Sequence, residues 1–164
     1  MKIAIYTDGG CHGNPGPGGW AYIILGNKKV LAEKWGADVF TTNNRMELAA
    51  VTNAMEAMQE LLPTLSKRSH QISVYTDSQY VQKGISEWIF LWKGNRWRNS
   101  DKKPVKNQDL WKKLDALTLE VGNIPIEWEW VQGHSGNTYN EICDKMTQVA
   151  IDSLKCKRRR TALS

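Results

Sequence analysis

Two segments of the chain end alike. IYTD at residues 5–8 and VYTD at residues 74–77 each read as a β-strand closing on an aspartate, a residue depleted in strands. In the first, Ile3, Ile5 and Thr7 fall on one face and Ala4, Tyr6 and Asp8 on the other, the period of a strand. A turn-rich stretch, GGCHGNPGPGG, leads to a second strand at residues 20–25. Gly26-Asn27 marks a hairpin turn, and residues 30–35 make a third strand. Three strands with short connections predict an antiparallel meander. Residues 72–77 can then lie parallel to residues 2–8 only if the intervening helical segment crosses over the sheet. That arrangement brings Asp8 and Asp77 to one face at the carboxyl edge, where α/β sheets bind ligands. Two carboxylates brought together repel unless a cation sits between them, so the doubled motif points to a metal.

The other elements complete an α/β chain with a five-stranded mixed sheet. A helix runs from Arg45 to about Leu62, with Asn44 and Glu47 spaced as an N-terminal cap and Pro63 as its stop. Ser78 caps a helix to about Gly84, a Trp-rich helical stretch begins near Ile85, and residues 94–105 form a basic loop. Asn107 to about Glu120 is helical, residues 126–131 are the fifth strand, and the last helix spans Asn140 to about Leu154. Two further acids suit the same site. Glu47 falls in the expected first turn of its helix, where the dipole tolerates a carboxylate, and Asp144 lies one turn after Asn140 on the same face. Hard divalent ions such as magnesium take oxygen ligands of this kind.

Charge sharpens the picture. Residues 93–113 carry eight Lys/Arg against two acids, a balance of +6; residues 155–160 add +5; the rest of the chain sums to −6. Separated signs suit a polyanion held beside a carboxylate-rich, cation-binding site. At 164 residues the chain fits one domain. Cys11, Cys143 and Cys156 have no C-x-x-C spacing, which argues against a zinc site or a disulfide framework. The expected setting is a reducing cytoplasm, with no membrane span and no signal peptide. No apolar helix argues for more than a monomer. The Gly16–Ala21 stretch nominally fits a dinucleotide-binding pattern, but prolines interrupt it and a strand follows where a helix is needed.

The motifs TDGGCHGNPGPGGWA, TTNNRMELAA, YTDSQYV, DKKPVKNQDLW and WEWVQGHSGNTYNEICD follow one another in an order and spacing that resembles type 1 ribonuclease H enzymes, especially bacterial ones, from Met1 to about Leu154. The resemblance implies the ribonuclease H-like fold and sequence-independent hydrolysis of the RNA strand of an RNA–DNA hybrid, leaving 5′-phosphate and 3′-hydroxyl ends. It implies two magnesium ions, or manganese in their place, held by Asp8, Glu47, Asp77 and Asp144, with His134 moving a proton or aiding product release. Cys11, Asn14, Asn43, Asn44 and Gln79 correspond to contacts with the RNA strand, where 2′-hydroxyls distinguish RNA from DNA. Thr42 and Asn107 correspond to a phosphate pocket on the DNA strand, and Tyr80, Trp92 and Ser100 to the channel along it.

Residues 85–106 correspond to a basic protrusion in which Lys93, Arg96, Arg98, Lys102, Lys103 and Lys106 supply phosphate affinity. Residues 155–164 are expected to form a flexible basic tail outside the domain. Phe40 stands where many relatives carry an arginine near the phosphate pocket, and Gly94-Asn95 replaces part of a lysine run. Two other readings stay open at this stage: a noncatalytic hybrid-binding module, and another nuclease or junction resolvase built on the same carboxylate-bearing sheet.

Overall fold

The computed structural model describes residues 1–66, 69–133 and 135–163, with side chains described as far as Lys155. β1 (Lys2–Cys11), β2 (Gly16–Gly26) and β3 (Lys29–Thr41) form the antiparallel meander. β4 (Gln71–Thr76) pairs with β1 in parallel and β5 (Ile126–Trp130) pairs with β4, giving the order β3-β2-β1-β4-β5. The five-stranded mixed sheet agrees with the one expected from the strand pattern.

Alternation divides the strands between two faces. Ile3, Ile5, Tyr22, Ile24, Ile72 and Val74 are buried on one face with Leu48, Val51, Met55 and Met58 of α1 (Asn43–Leu61) and Trp111, Leu114 and Leu117 of α4 (Gln108–Glu120). Ile23 and Leu25 are buried on the other with Cys143 of α5 (Thr138–Leu163), beside Ala4, Tyr6 and Tyr139. Burying these apolar side chains supplies the main favourable term for the fold. Among the described residues no helix is long and apolar enough to cross a membrane.

Several boundaries differ from the sequence expectation. β1 does not close on Asp8. Its parallel ladder with β4 stops at Thr7 and Thr76, but its antiparallel ladder with β2 continues through Asp8 and Ala21 to Cys11 and Gly18. The glycine-rich stretch is therefore largely strand, because ladder hydrogen bonds need no side chain. The hairpin tip is Asn27-Lys28, both left-handed at φ 48° and 70°, as a two-residue turn between twisted strands requires. β3 runs on to Thr41. The cap of α1 is Thr42 and not Asn44: its hydroxyl accepts from the Arg45 backbone N–H at 3.2 Å. Glu47 consequently lies beyond the first turn, and the helix dipole is not what holds its charge.

Ser78 does cap α2 (Gln79–Lys83), accepting from the Val81 N–H at 3.1 Å. A π-turn at Gly84–Trp88 joins it to α3 (Ile89–Gly94). α5 continues to Leu163, past the stop near Leu154 that the sequence predicts. Residues 155–163 contain neither glycine nor proline to end the helix.

Candidate active site

Tyr6 faces Tyr75 across the β1–β4 ladder, and their rings stack with centroids 4.7 Å apart. Two residues further along, on the same parity, stand Asp8 on β1 and Asp77 just past the end of β4. Glu47 and Asp144 reach the same edge from α1 and α5, and the means of their approach is visible in the glycines. A Cβ on Gly9 would lie 2.3 Å from the Met46 carbonyl carbon and 2.5 Å from the Glu47 nitrogen. Only a residue without a side chain lets the helix backbone come down onto β1 there. On the other face, a Cβ on Gly19 would meet Thr147 O and the Ala150 methyl, both at 2.9 Å, so α5 is also drawn tightly against the sheet.

The four carboxylates form one electrostatic unit. Asp8 is buried, only 7% exposed. Burial, then the charge of Asp77, then those of Asp144 and Glu47 push its pKa up to about 8, against a hydrogen bond from Thr147. Glu47 is pushed up to about 7 by burial and by Asp77, against the Ser78 hydroxyl, which donates to Glu47 Oε2 at 2.5 Å. The Ser78 oxygen that caps α2 thus also orients Glu47. The Trp130 indole N–H donates to the Asp77 carbonyl at 3.0 Å, and a Cβ on Gly133 would stand 3.1 Å from Asp77 Oδ2, so the loop after β5 passes against this carboxylate. His134 lies outside the described residues.

Among the described residues, no three His, Cys, Asp or Glu side chains stand close enough as placed to enclose one ion. The fit to a divalent cation rests on the donor set: oxygen ligands of the hard type such ions prefer, gathered so that a cation among them would relieve their repulsion.

The expected contacts with the RNA strand fall into two groups. The Asn43 side-chain oxygen accepts from the Cys11 N–H at 2.7 Å, and the Asn14 side-chain oxygen accepts from the Asn43 N–H at 3.1 Å and from the Cys11 thiol at 3.7 Å. These hydrogen bonds tie the β1–β2 loop to the start of α1. Asn44 and Gln79 are exposed at the starts of α1 and α2 and take no part in that network.

Of the residues expected along the DNA strand, the structure joins Thr42, Asn107 and Tyr80 through Arg45, which the sequence did not single out. Arg45 follows the Thr42 cap, donates to Asn107 Oδ1 at 3.2 Å and forms a two-pronged pair with Asp109 at 3.1 and 2.8 Å. Asn107, left-handed at φ 59°, donates from Nδ2 to the Tyr80 hydroxyl at 3.1 Å, and the Trp111 indole donates to the same oxygen at 2.9 Å. Having accepted twice, that hydroxyl directs its own proton elsewhere. Trp92 packs against Trp88, Trp97 and Trp111 at 6.0, 6.4 and 5.3 Å. Ser100 is exposed on a turn organised by Asn99, whose side chain accepts from the Asp101 and Lys103 N–H groups at 3.0 Å.

Arg96, Arg98, Lys102, Lys103 and Lys106 are exposed around that turn. Lys93 differs, for its ammonium pairs with Asp115 at 3.1 Å. Phe40 is 69% exposed.

A mixed sheet carrying carboxylates at one edge, a polar network at its helix starts and a cationic protrusion beyond is an arrangement suited to a protein that handles nucleic acid. Residues 1–152 match the RNase H family, and the chain belongs to that family. It is 49% identical over 162 residues to a ribonuclease H of Treponema denticola, covering 94% of this chain and 99% of the relative. It is 51% identical over 154 residues to one of Dechloromonas aromatica, covering 93% and 95%. Its fold is similar to the crystal structure of LC9-RNase H1, a type 1 RNase H with the type 2 active-site motif (TM-score 0.74, 27% identity, 93% of this chain and 72% of that one). It is also similar to LC11-RNase H1 in complex with an RNA/DNA hybrid (TM-score 0.66, 25% identity, 93% and 98%).

Proposed function

We propose that this ribonuclease H cleaves the RNA strand of RNA–DNA hybrids without sequence preference, leaving 5′-phosphate and 3′-hydroxyl ends. The observation that carries the reading is the gathering of Asp8, Asp77, Asp144 and Glu47 into one repelling set around a buried carboxylate. Asp8, Glu47, Asp77 and Asp144 would hold divalent cations, magnesium first and manganese in its place. Such ions, when bound, activate water and stabilise charge on the attacking and leaving oxygens of a phosphoryl displacement.

The chain's own residues do the rest. Ser78 holds Glu47 in place by its hydrogen bond. The Cys11, Asn14 and Asn43 network and, apart from it, the exposed Asn44 and Gln79 present polar groups to the RNA strand, where a 2′-hydroxyl can be read without reading the base. Thr42 and Asn107 take a DNA phosphate, with Tyr80, Trp92 and Ser100 along that strand. His134 serves proton movement or product release. The basic protrusion at residues 85–106 adds affinity that falls with salt.

The reading includes action as a monomer. The free thiols of Cys11 and Cys143 suit a reducing cytoplasm. The domain is residues 1–154, and residues 155–164 are accessory to the chemistry.

The test presents one labelled sequence as RNA–DNA hybrid, RNA duplex, DNA duplex and single-stranded RNA, with magnesium and with chelator. Cutting confined to the RNA of the hybrid and lost with chelator is expected. Tight hybrid binding without cutting in magnesium or manganese would leave only a binding module.

A further inference from the structure

The stacked Tyr6–Tyr75 pair is the wall of a second site. A cavity of about 740 Å³ opens on the α5 face of the sheet, lined along its length by Lys2, Tyr6, Lys28, Tyr75, Glu127 and Tyr139. Its size falls within the range of small-ligand pockets. The three tyrosines form one aromatic cluster: Tyr6 stacks on Tyr75, and Tyr139, from the first turn of α5, stands 5.2 Å from Tyr6 at a tilt of 38°. Asn137 Oδ1 accepts from the Asn140 N–H at 3.0 Å, which orders the chain where it enters α5 beside Tyr139.

The cavity has a direction. Its aromatic end lies two residues along β1 and β4 from Asp8 and Asp77, roughly 7 Å at strand spacing, where carboxylates repel an anion. Its other end is cationic. Lys2 lies four residues from Tyr6 along β1, roughly 13 Å, and Lys28 sits at the hairpin tip beside it. The backbone there is braced, since Asn27 Oδ1 accepts from the Lys2 N–H at 3.2 Å and the Asn27 N–H donates to Lys2 O at 3.0 Å. Among the described residues neither lysine is in an ion pair. Glu127, on the β5 side, offers an acceptor and is bridged to Gln71 at 3.4 Å.

A ligand matching this order has a flat ring for the tyrosines, a hydrogen-bond donor for Glu127, and a phosphate for the lysines, held away from the catalytic carboxylates. We infer that the cavity binds a nucleoside 5′-monophosphate, its base against Tyr6, Tyr75 and Tyr139 and its phosphate toward Lys2 and Lys28. The site is distinct from the carboxylate edge and from the basic protrusion, and it does not depend on hybrid cleavage.

The test is a titration of the full chain with adenosine 5′-monophosphate, followed by amide NMR shifts in chelator so that no metal links the nucleotide to Asp8. Saturable shifts are expected around Tyr6, Tyr75, Tyr139 and Lys28. Adenosine, inorganic phosphate and benzoate should each bind at least about tenfold more weakly. The double variant Lys2→Gln/Lys28→Asn should also lose about tenfold in affinity while cleaving hybrid at the normal rate in the absence of nucleotide. Asn is chosen because it tolerates the left-handed backbone at position 28, and the variant's own spectrum reports whether it is folded. Three results would overturn the assignment: shifts confined to residues 93–107, benzoate binding as well as the nucleotide, or an unchanged affinity in the folded double variant.

Discussion

Gly9 and Met46 lie so close that a single methyl group cannot fit between them: a Cβ on Gly9 would fall 2.3 Å from the Met46 carbonyl carbon. This contact sets the height of α1 above β1, and with it the reach of Glu47 toward Asp8 and Asp77. Gly9→Ala must therefore push the helix start outward. Overpacking of this kind costs roughly 1–3 kcal/mol, and its partners here are backbone atoms, which yield least. The expected result is a lower Tm together with a turnover number reduced at least about tenfold, because misplacement by a fraction of an ångström is amplified in catalysis. Gly10→Ala is the control, since its nearest contact is a side-chain oxygen at 3.8 Å, and it should leave both quantities nearly unchanged.

Arg45 links the cap of α1 to the loop before α4. Its guanidinium fixes Asn107 Oδ1, which leaves Nδ2 to donate to Tyr80 and sets the carboxamide for the phosphate it is proposed to take. Arg45→Ala frees that carboxamide and removes the Asp109 pair. Because this pair is partly exposed, its removal alone should change stability by no more than about 1 kcal/mol. The expected kinetic signature is a KM raised roughly tenfold with kcat within about threefold, the pattern seen when binding common to ground and transition states is removed. Arg45→Lys should restore little, because a point charge cannot reproduce the planar fork. An equal fall in kcat and kcat/KM would place Arg45 in the chemical step instead.

The crossover of the helical segment between them made a parallel pairing of β1 with β4 the expectation, and the shared parity of IYTD and VYTD then put Asp8 and Asp77 on one face, because a strand has a period of two whatever surrounds it. Capping was less legible. Thr42, Asn43 and Asn44 are all competent caps by residue type, and the choice of Thr42 follows from β3 running on to Thr41, which no local propensity reveals. The misplaced cap carried Glu47 into the wrong turn and hid the part played by Ser78, whose hydroxyl serves α2 and Glu47 at once. Arg45 escaped notice for a different reason. Its partners Asn107 and Asp109 lie more than sixty residues away, and only the tertiary fold brings them together. A signal was available in its position, a lone cation between paired asparagines and the helix that carries Glu47.

The cations of the protrusion should not behave alike. Arg96, Lys103 and Lys106 are exposed and stand in no ion pair among the described residues. Replacing any one of them leaves one phosphate without its cation, which should lower the slope of log affinity against log salt by about one. Lys93 is engaged by Asp115. Lys93→Ala should act mainly on stability, by a few tenths to about 1 kcal/mol, with a smaller change in the salt slope. Hybrid binding by the single alanine variants across a series of salt concentrations, with Tm measured alongside, separates the two classes. A Lys93→Ala slope change as large as that of Lys106→Ala would show that hybrid displaces Asp115.

Asp8 gives the sharpest prediction, because its activity and stability effects run in opposite directions. Its folded-state pKa is raised from 3.8 to about 8, chiefly by burial and by Asp77, so the folded protein holds this proton more tightly than the unfolded chain does. That contribution to stability is fully present below pH 4 or so and is lost as pH rises through about 8. Glu47, raised to about 7, adds in the same sense. The metal-free protein should therefore lose Tm between about pH 5 and pH 8, and magnesium should restore it at the upper end by binding the folded state. Asp8→Asn removes the charge while keeping the shape. At pH 8 without metal it should melt higher than the parent, by at least roughly 2–4 °C for each kcal/mol of repulsion relieved, and near pH 5 the two should converge. Its cleavage of hybrid should fall on the order of a thousandfold with hybrid binding retained. A variant that melts below the parent at pH 8 without metal would mean that Asp8 is held by favourable contacts and not by a site built for a cation.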